Sequence, residues 1–354
     1  MNEISVIGGG SWATALVKIL TENSIHINWY LRRSEQVRSI NRDAVNPDYL
    51  SFLKLDNTKI YASDQLDEIV ARSKVILFVV PSAHLDKVCA AIPKEDLAEK
   101  FVITAIKGTV GPDNLLPSAH LARYFELKDL QQAIIAGPCH AEEIARSKKT
   151  YMTLCGPNKS FISKISKGFA SSYMQVNYNA DMLGVEYAAI YKNVVGIVCG
   201  MAEGLHYGDN FMAVIVANAI DELGLLLRSL GAPPDVRLGS STYLGDLLVT
   251  GYSAHSRNRT FGKYLGQGYS VFEALQLMGM VAEGYFATRG LMATVSSLGL
   301  NLPLLQTTYR VLYNHMAAID EFKLLERNIK YYAISNRFRW NFFGWKDGRP
   351  PQII

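Results

Sequence analysis

Cysteine is scarce and scattered. Cys89, Cys139, Cys155 and Cys199 form no C-x-x-C pair and share no His/Cys spacing suited to a metal. That pattern argues against a disulfide framework and structural zinc, predicts no metal site, and fits free thiols in a reducing compartment. An excess of one charge is lacking too. Lys and Arg number 36 against 32 Asp and Glu, a net of +4, and the cations are spread out rather than gathered in a stripe. Bulk nucleic-acid binding is therefore not expected, although focused basic sites for a small anion remain open. No uninterrupted apolar stretch reaches the length of a bilayer span, so stable membrane insertion is not expected either. The opening residues, "MNEISVIGGG", lack the ordered basic, apolar and cleavage segments that export requires, and the expected location is the cytoplasm. What is left is a globular chain, 49% hydrophobic and 19% charged over 354 residues, long enough to bury two cores.

The first half alternates short β-rich runs with helical patterns. "ISVIG", "IHINWYL", "KIYA", "VILFVV", "FVITAI", "QAIIAG", "TYMTLC" and "YMQVNY" read as strands, several apolar on both faces, as in a sheet covered by helices on either side. From about Asp181 the β-type runs stop, and long Ala/Leu/Gly-rich helical patterns follow. The expectation is an α/β fold: a Rossmann-type, mostly parallel sheet domain over residues 1–180 and an all-helical substrate and catalytic domain over 181–340. The remaining 341–354, within the stretch "NFFGWKDGRPPQII", read as an irregular arm.

Gly8-Gly9-Gly10-Ser11-Trp12-Ala13 matches G-x-G-x-x-A between a strand and a helix. Gly8 permits the tight turn, Gly10 lets the backbone approach a pyrophosphate, and the free N–H groups of the helix start face the anion. At the place where an acid would hold the ribose of NAD(H), the chain has Arg32 and Arg33, which suit the 2′-phosphate of NADP(H). Glu35 nearby keeps NAD(H) open. Lys107 closes the apolar strand "VITAI", where ligands of open α/β sheets bind. "GPCHAEEIA" repeats that geometry one unit later, with His140 as a candidate proton donor beside Glu142 and Glu143.

In the helical half, Lys192 stands inside "LGVEYAAIYKNVVGIVCG", apolar on almost every face. Such an ammonium must snorkel, find a charge partner or serve a ligand. On a helical wheel Gly196, Cys199 and Glu203 follow it on one stripe. Small neighbours are expected to leave room for a ligand, and no carboxylate lies one turn away. Asp246, one acid in an apolar stretch, wants a donor such as an ammonium or a substrate hydroxyl. In "SRNRTFG", Ser256 can cap a helix while Arg257 and Arg259 flank Asn258, a receptor for phosphate.

With "GGGSWATAL", "AIKG", "GPCHAEE", "YKNVVGIVCG", "GDLLVT", "SRNRTFG" and "VAEG" in this order, the chain resembles the NAD(P)-dependent glycerol-3-phosphate dehydrogenases of the bacterial type, from Met1 to about residue 330. The resemblance implies an active site between the two domains. It assigns Ser11, Trp12 and Arg32 to the cofactor, Lys107 to substrate and cofactor, and Lys192 to proton transfer. It assigns Asp246, Ser256, Arg257 and Asn258 to the substrate, with Arg257 and Glu283 also near the cofactor. By the same motifs, Gly137 and Cys139 belong to the substrate site, and Ala141 and Val281 to the cofactor site. Cys139 stands where the family has a hydroxyl residue, and His140-Ala141 stands where it has Phe-Ala.

The expected reaction is reversible reduction of dihydroxyacetone phosphate to sn-glycerol 3-phosphate, which would supply glycerophospholipid synthesis. Lys192 would act as the acid, its pKa lowered by burial and by a second cation such as Lys107. Two alternatives share parts of this pattern. A hydroxyacid or sugar-phosphate dehydrogenase would not need "SRNR", and a non-catalytic dinucleotide-binding regulator would have no reason to keep Lys192, Asp246 and Arg257 together. The apolar helical patterns leave a homodimer open.

Overall fold

The computed structural model describes residues 2–335 apart from residue 234 and residues 279–281, with side chains described as far as residue 329. Val281 and the aromatic, Pro-rich tail lie outside the described residues.

All eight expected runs are strands: β1 (Glu3–Ile7), β2 (His26–Tyr30), β3 (Ile60–Ser63), β4 (Val75–Phe78), β5 (Phe101–Thr104), β6 (Gln132–Ala136), β7 (Thr150–Cys155) and β8 (Met174–Asn179). They form one sheet in the order β3-β2-β1-β4-β5-β6-β7-β8. Neighbours run parallel except β6 and β7, which pair antiparallel through Ile135 opposite Leu154. β4 and β6 are buried along their whole length, which is why β4 (VILF) is apolar at every position and β6 is apolar at all but Gln132 instead of alternating.

From β1 the chain winds outward to β2 and β3, then crosses back to β4 beside β1 and continues the other way. The carboxyl ends of β1 and β4 therefore diverge into a crevice, the place where an open α/β sheet takes ligands. Gly8 turns the chain there at φ 130°, and a Cβ on it would lie 2.2 Å from the carbonyl oxygen of Val79 after β4. Only glycine fits such an approach at such a φ.

After β8 no further strand occurs among the described residues. Asp181 caps the helix Met182–Gly204, its Oδ1 accepting from Gly184 N at 2.8 Å. This helix and Asp209–Ser229 are long and apolar enough by composition to cross a membrane, but 83% of the apolar window in the first is buried inside the protein. It is the axis of the helical core, and apolar side chains surround it on every face. The helix Arg257–Gly266 packs on it at backbone distance. A Cβ on Gly200 would sit 2.0 Å from the Arg259 carbonyl oxygen, and one on Gly262 would sit 2.0 Å from that of Ile197.

The helical core reaches onto the sheet through Ile134, Ala136 and Cys155 of β6 and β7. A polar contact fastens the same junction. Glu186 accepts from Ser118 N at 3.0 Å and from Ser118 Oγ at 2.5 Å, which satisfies free donors at the start of the helix Pro117–Phe125.

Candidate active site

The glycine turn delivers Gly10 to the N-cap of the helix Ser11–Glu22, where no side chain caps the first turn. A Cβ on Gly10 would meet nothing within 4 Å, so the approach to these N–H groups is open. Ala13 is fully buried, which seats the helix against the strand as the motif requires. Trp12 stands at the same helix start with its Nε1 buried and without a hydrogen-bond partner among the described residues. An uncapped helix N-terminus, an open approach and an orphaned donor together fit a dinucleotide pyrophosphate.

At the end of β2, Arg32 and Arg33 are both exposed but not equivalent. Arg33 Nη1 is held by Asp48 Oδ2 at 2.7 Å, whereas Arg32 has no ion-pair partner among the described residues.

Lys107, two residues beyond the last sheet-paired alanine after β5, holds its Nζ 5.7 Å from the centroid of the Trp12 ring and 3.9 Å from Asp246 Oδ2. The second contact spans the two halves of the chain. Asp246 is the first residue of the helix Asp246–Tyr252, directly after the π-turn Ser241–Gly245, and is 2% exposed. Its other oxygen, Oδ1, accepts from Lys192 Nζ at 2.5 Å. Two ammonium groups thus converge on one buried carboxylate. Burial lowers the pKa of Lys192 to about 8; Asp246 opposes the shift and Lys107 adds to it.

The wheel expectation for Lys192 needs correction here. Its charge partner comes from another helix, 54 residues on, so no carboxylate one turn away was needed. Nor does the small stripe admit a ligand. A Cβ on Gly196 would meet Thr250 Cγ2 at 2.9 Å and Asn258 Cβ at 3.1 Å, so neighbouring helices already occupy that space.

"SRNR" divides its labour. Ser256 caps the helix Arg257–Gly266, its Oγ accepting from Arg259 N at 3.3 Å. Arg259 is committed to Glu203 at 2.9 Å and to the Tyr252 carbonyl at 3.0 Å, so it is not the second phosphate ligand the sequence suggested. Arg257 is exposed and close enough to Glu283 to influence it. Asn258 is buried in a relay that sequence reasoning missed. Gly284 N donates to Asn258 Oδ1 at 2.9 Å, Asn258 Nδ2 to Asn193 Oδ1 at 3.0 Å, and Asn193 Nδ2 to the Lys107 carbonyl at 2.9 Å. This chain of amides ties the residue after Lys192 to the backbone of Lys107.

Glu283 accepts from Ser82 Oγ, beyond β4, at 2.9 Å; burial raises its pKa, while Ser82 and Arg257 oppose the rise. Ser82 and Glu283 are 201 residues apart, and no spacing in the sequence signals the pair. Gly137 leaves β6 buried, and Cys139 lies with its Sγ 3.9 Å from the Tyr151 carbonyl. Burial pushes the Cys139 thiol up to about 12, so it is not a thiolate nucleophile. His140 precedes the short helix Ala141–Ala145, which opens on the buried Ala141.

A doubly wound sheet with a glycine turn, whose strand-end lysine meets a buried lysine–aspartate pair from a helical half, is the build of a dinucleotide-dependent dehydrogenase. Two family models match the chain: the N-terminal model of NAD-dependent glycerol-3-phosphate dehydrogenase over residues 3–162 and the C-terminal model over residues 181–323. The chain is 33% identical to the glycerol-3-phosphate dehydrogenase [NAD(P)+] of Halalkalibacterium halodurans, over 88% of this chain and 90% of that one. It is 30% identical to the enzyme of the same description from Bacillus subtilis, over 89% and 91%. The crystal structure of glycerol-3-phosphate dehydrogenase from Coxiella burnetii is similar at TM-score 0.86 and 28% identity, covering 92% of this chain and 98% of that one. A ketopantoate reductase from Ralstonia eutropha, at TM-score 0.60 and 15% identity over 93% and 99%, shares the fold alone. The chain belongs to the NAD-dependent glycerol-3-phosphate dehydrogenase family.

Proposed function

We propose that this protein reduces dihydroxyacetone phosphate to sn-glycerol 3-phosphate with NADH or NADPH, reversibly, as an oxidoreductase supplying glycerophospholipid synthesis. The observation that carries the chemistry is the triad of buried Lys192 and Asp246 with half-buried Lys107, at 2.5 and 3.9 Å. When bound, the nicotinamide cofactor supplies or accepts the hydride. Everything else falls to the chain's own residues.

Lys192 donates a proton to the oxygen of the substrate carbonyl as charge develops there, and takes it back in the reverse direction. A lysine near pKa 8 is suited to both roles, because neither protonation state is far out of reach at neutral pH. Asp246 orients Lys192 and, through its second oxygen, faces the substrate. Lys107 is the second cation, stabilising the developing oxyanion and a cofactor anion. Arg257, exposed and without a salt bridge among the described residues, anchors the phosphate, so that the binding energy of this remote group positions the carbonyl. Ser256 holds the helix start that presents Arg257, Asn258 holds the two halves in register, and Gly137 and Cys139 line the substrate side.

Gly8, Gly10, Ser11 and Trp12 would receive the pyrophosphate of the cofactor. Arg32, with Arg33 beside it, would meet the 2′-phosphate when the cofactor is NADPH, and Ala141, Arg257 and Glu283 would help to hold the cofactor; Val281 belongs to the same proposal from outside the described residues. The two units are taken as 1–180 and 181–340, with 341–354 as an arm. The activity is placed in the cytoplasm, a reading the four free cysteines support. A homodimer is compatible with the apolar helical half.

The test is oxidation of NADH and NADPH, followed by absorbance, with dihydroxyacetone phosphate and then with 2-keto acids and other sugar phosphates. Turnover confined to dihydroxyacetone phosphate is expected. Preference for a keto acid would favour a hydroxyacid dehydrogenase, and no turnover with any of them would favour a regulator.

A further inference from the structure

Two buried side-chain atoms at this centre have no hydrogen-bond partner among the described residues and take no part in the proton transfer: His140 Nε2 and Asp246 Oδ2. Their needs are complementary. A carboxylate oxygen only accepts, whereas a neutral imidazole with its hydrogen on Nε2 donates. Asp246 Oδ2 has the Lys107 ammonium at 3.9 Å, too far for a hydrogen bond, and a buried polar atom without a hydrogen bond costs free energy, so both atoms call for a partner. A hydroxyl satisfies the two at once, donating to the carboxylate and accepting from the imidazole. A ketone oxygen or a phosphate dianion would leave Asp246 Oδ2 unserved.

The imidazole is well placed for this. His140 comes from the sheet half, at the turn beyond β6, and His255 comes from the helical half, directly before the Ser256 cap. Their rings meet edge to face with centroids 6.2 Å apart. Around His140 the charged groups are Lys192, Lys107 and Asp246 of the triad and Glu142 on its own helix. Burial and Lys192 hold its pKa below the ordinary value, with Glu142 opposing, so the ring is neutral at pH 7 and can donate from one nitrogen only.

We propose that His140 is a specificity-determining substrate residue: together with Asp246 Oδ2, its Nε2 holds the free terminal hydroxyl of the substrate, the one that does not react. The inference rests on the function proposed above and adds a hydroxyl sensor to the phosphate anchor and the acid.

The experiment compares kcat/KM for dihydroxyacetone phosphate and for acetol phosphate, in which a methyl group replaces the terminal hydroxymethyl. It uses the wild type, His140→Phe and His140→Gln. The wild type should prefer dihydroxyacetone phosphate by about 100-fold or more, since a site built around a hydroxyl rejects the analogue that lacks it. His140→Phe should lower kcat/KM for dihydroxyacetone phosphate about 10- to 100-fold, mostly through KM, as expected for one lost buried hydrogen bond. The same change should leave acetol phosphate and the cofactor KM within about threefold, because neither uses that bond. His140→Gln, whose amide nitrogen can replace Nε2, should recover most of the selectivity and guards against a misfolded Phe variant. Equal losses on both substrates, or no loss with Phe, overturn the proposal.

If the wild type oxidises neither cofactor with dihydroxyacetone phosphate, the function reading fails on its own. The hydroxyl contact is then read from thermal stabilisation by glycerol 3-phosphate against propane-1,2-diol 1-phosphate, which lacks the terminal hydroxyl. A stronger wild-type response to glycerol 3-phosphate that His140→Phe abolishes supports the contact, and equal wild-type responses overturn it.

Discussion

Lys192 donates to Asp246 across 2.5 Å although the two residues stand on different helices, and Asp246 is itself 2% exposed. A pair so buried gains little net stability over apolar side chains, because desolvation offsets most of the attraction. Its retention at a crevice is better explained by chemistry.

Lys192→Ala should lower kcat about 10²- to 10⁴-fold, the usual contribution of a positioned acid, while circular dichroism and the cofactor KM stay close to wild type. Near-normal turnover by the folded variant would remove Lys192 from the mechanism.

The pH profile should carry opposite signs in the two directions. Reduction needs the protonated lysine, so its rate falls as pH rises through about 8; oxidation needs the free amine, so its rate rises over the same interval. Asp246 raises the lysine pKa, so Asp246→Asn should move both inflections to lower pH. Inflections that stay in place would show that another group titrates.

Arg257 and Arg259 should separate cleanly. Arg257→Ala removes an exposed cation and should raise the substrate KM about 10- to 100-fold with little change in melting temperature. Arg259→Ala breaks the contacts to Glu203 and the Tyr252 carbonyl, and should cost about 1–3 kcal/mol in urea unfolding with a smaller effect on KM. The reverse pattern would assign the phosphate to Arg259.

Cofactor choice should follow Arg32. Arg32→Ser should raise the KM for NADPH about tenfold or more and leave NADH nearly unchanged, since a guanidinium with no ion-pair partner among the described residues can serve the 2′-phosphate. Arg33→Ser should do less, because Arg33 is already held by Asp48 and can lend the phosphate only part of its charge. Equal effects of Arg32→Ser on both cofactors would refute this assignment.

Gly200→Ala should destabilise the protein by at least about 2 kcal/mol, because its methyl would arrive 2.0 Å from a backbone carbonyl that no rotamer can move. An unchanged urea midpoint would mean that the two helices slide apart without penalty.

The sequence by itself determined the local elements. Short β-rich runs, several of them apolar on both faces, mark every strand from β1 to β8, the Gly8 turn marks the crevice, and Ser256 announces the helix it caps, because each signal depends on residues within a few positions. It also marked Lys192 as an ammonium in the wrong company. Only the tertiary structure decided what satisfies that ammonium, for Asp246 is brought to it by the packing of separate helices. Packing likewise settled that Arg259 is spent on Glu203 while Arg257 makes no salt bridge among the described residues, and that helices fill the space beside Gly196. It also joined Ser82 to Glu283 and Lys107 to Asn193 across the two halves. Helical and strand periods show which face of a segment turns inward, but which segment it then meets is set by how whole faces fit, and that information is spread over the entire chain.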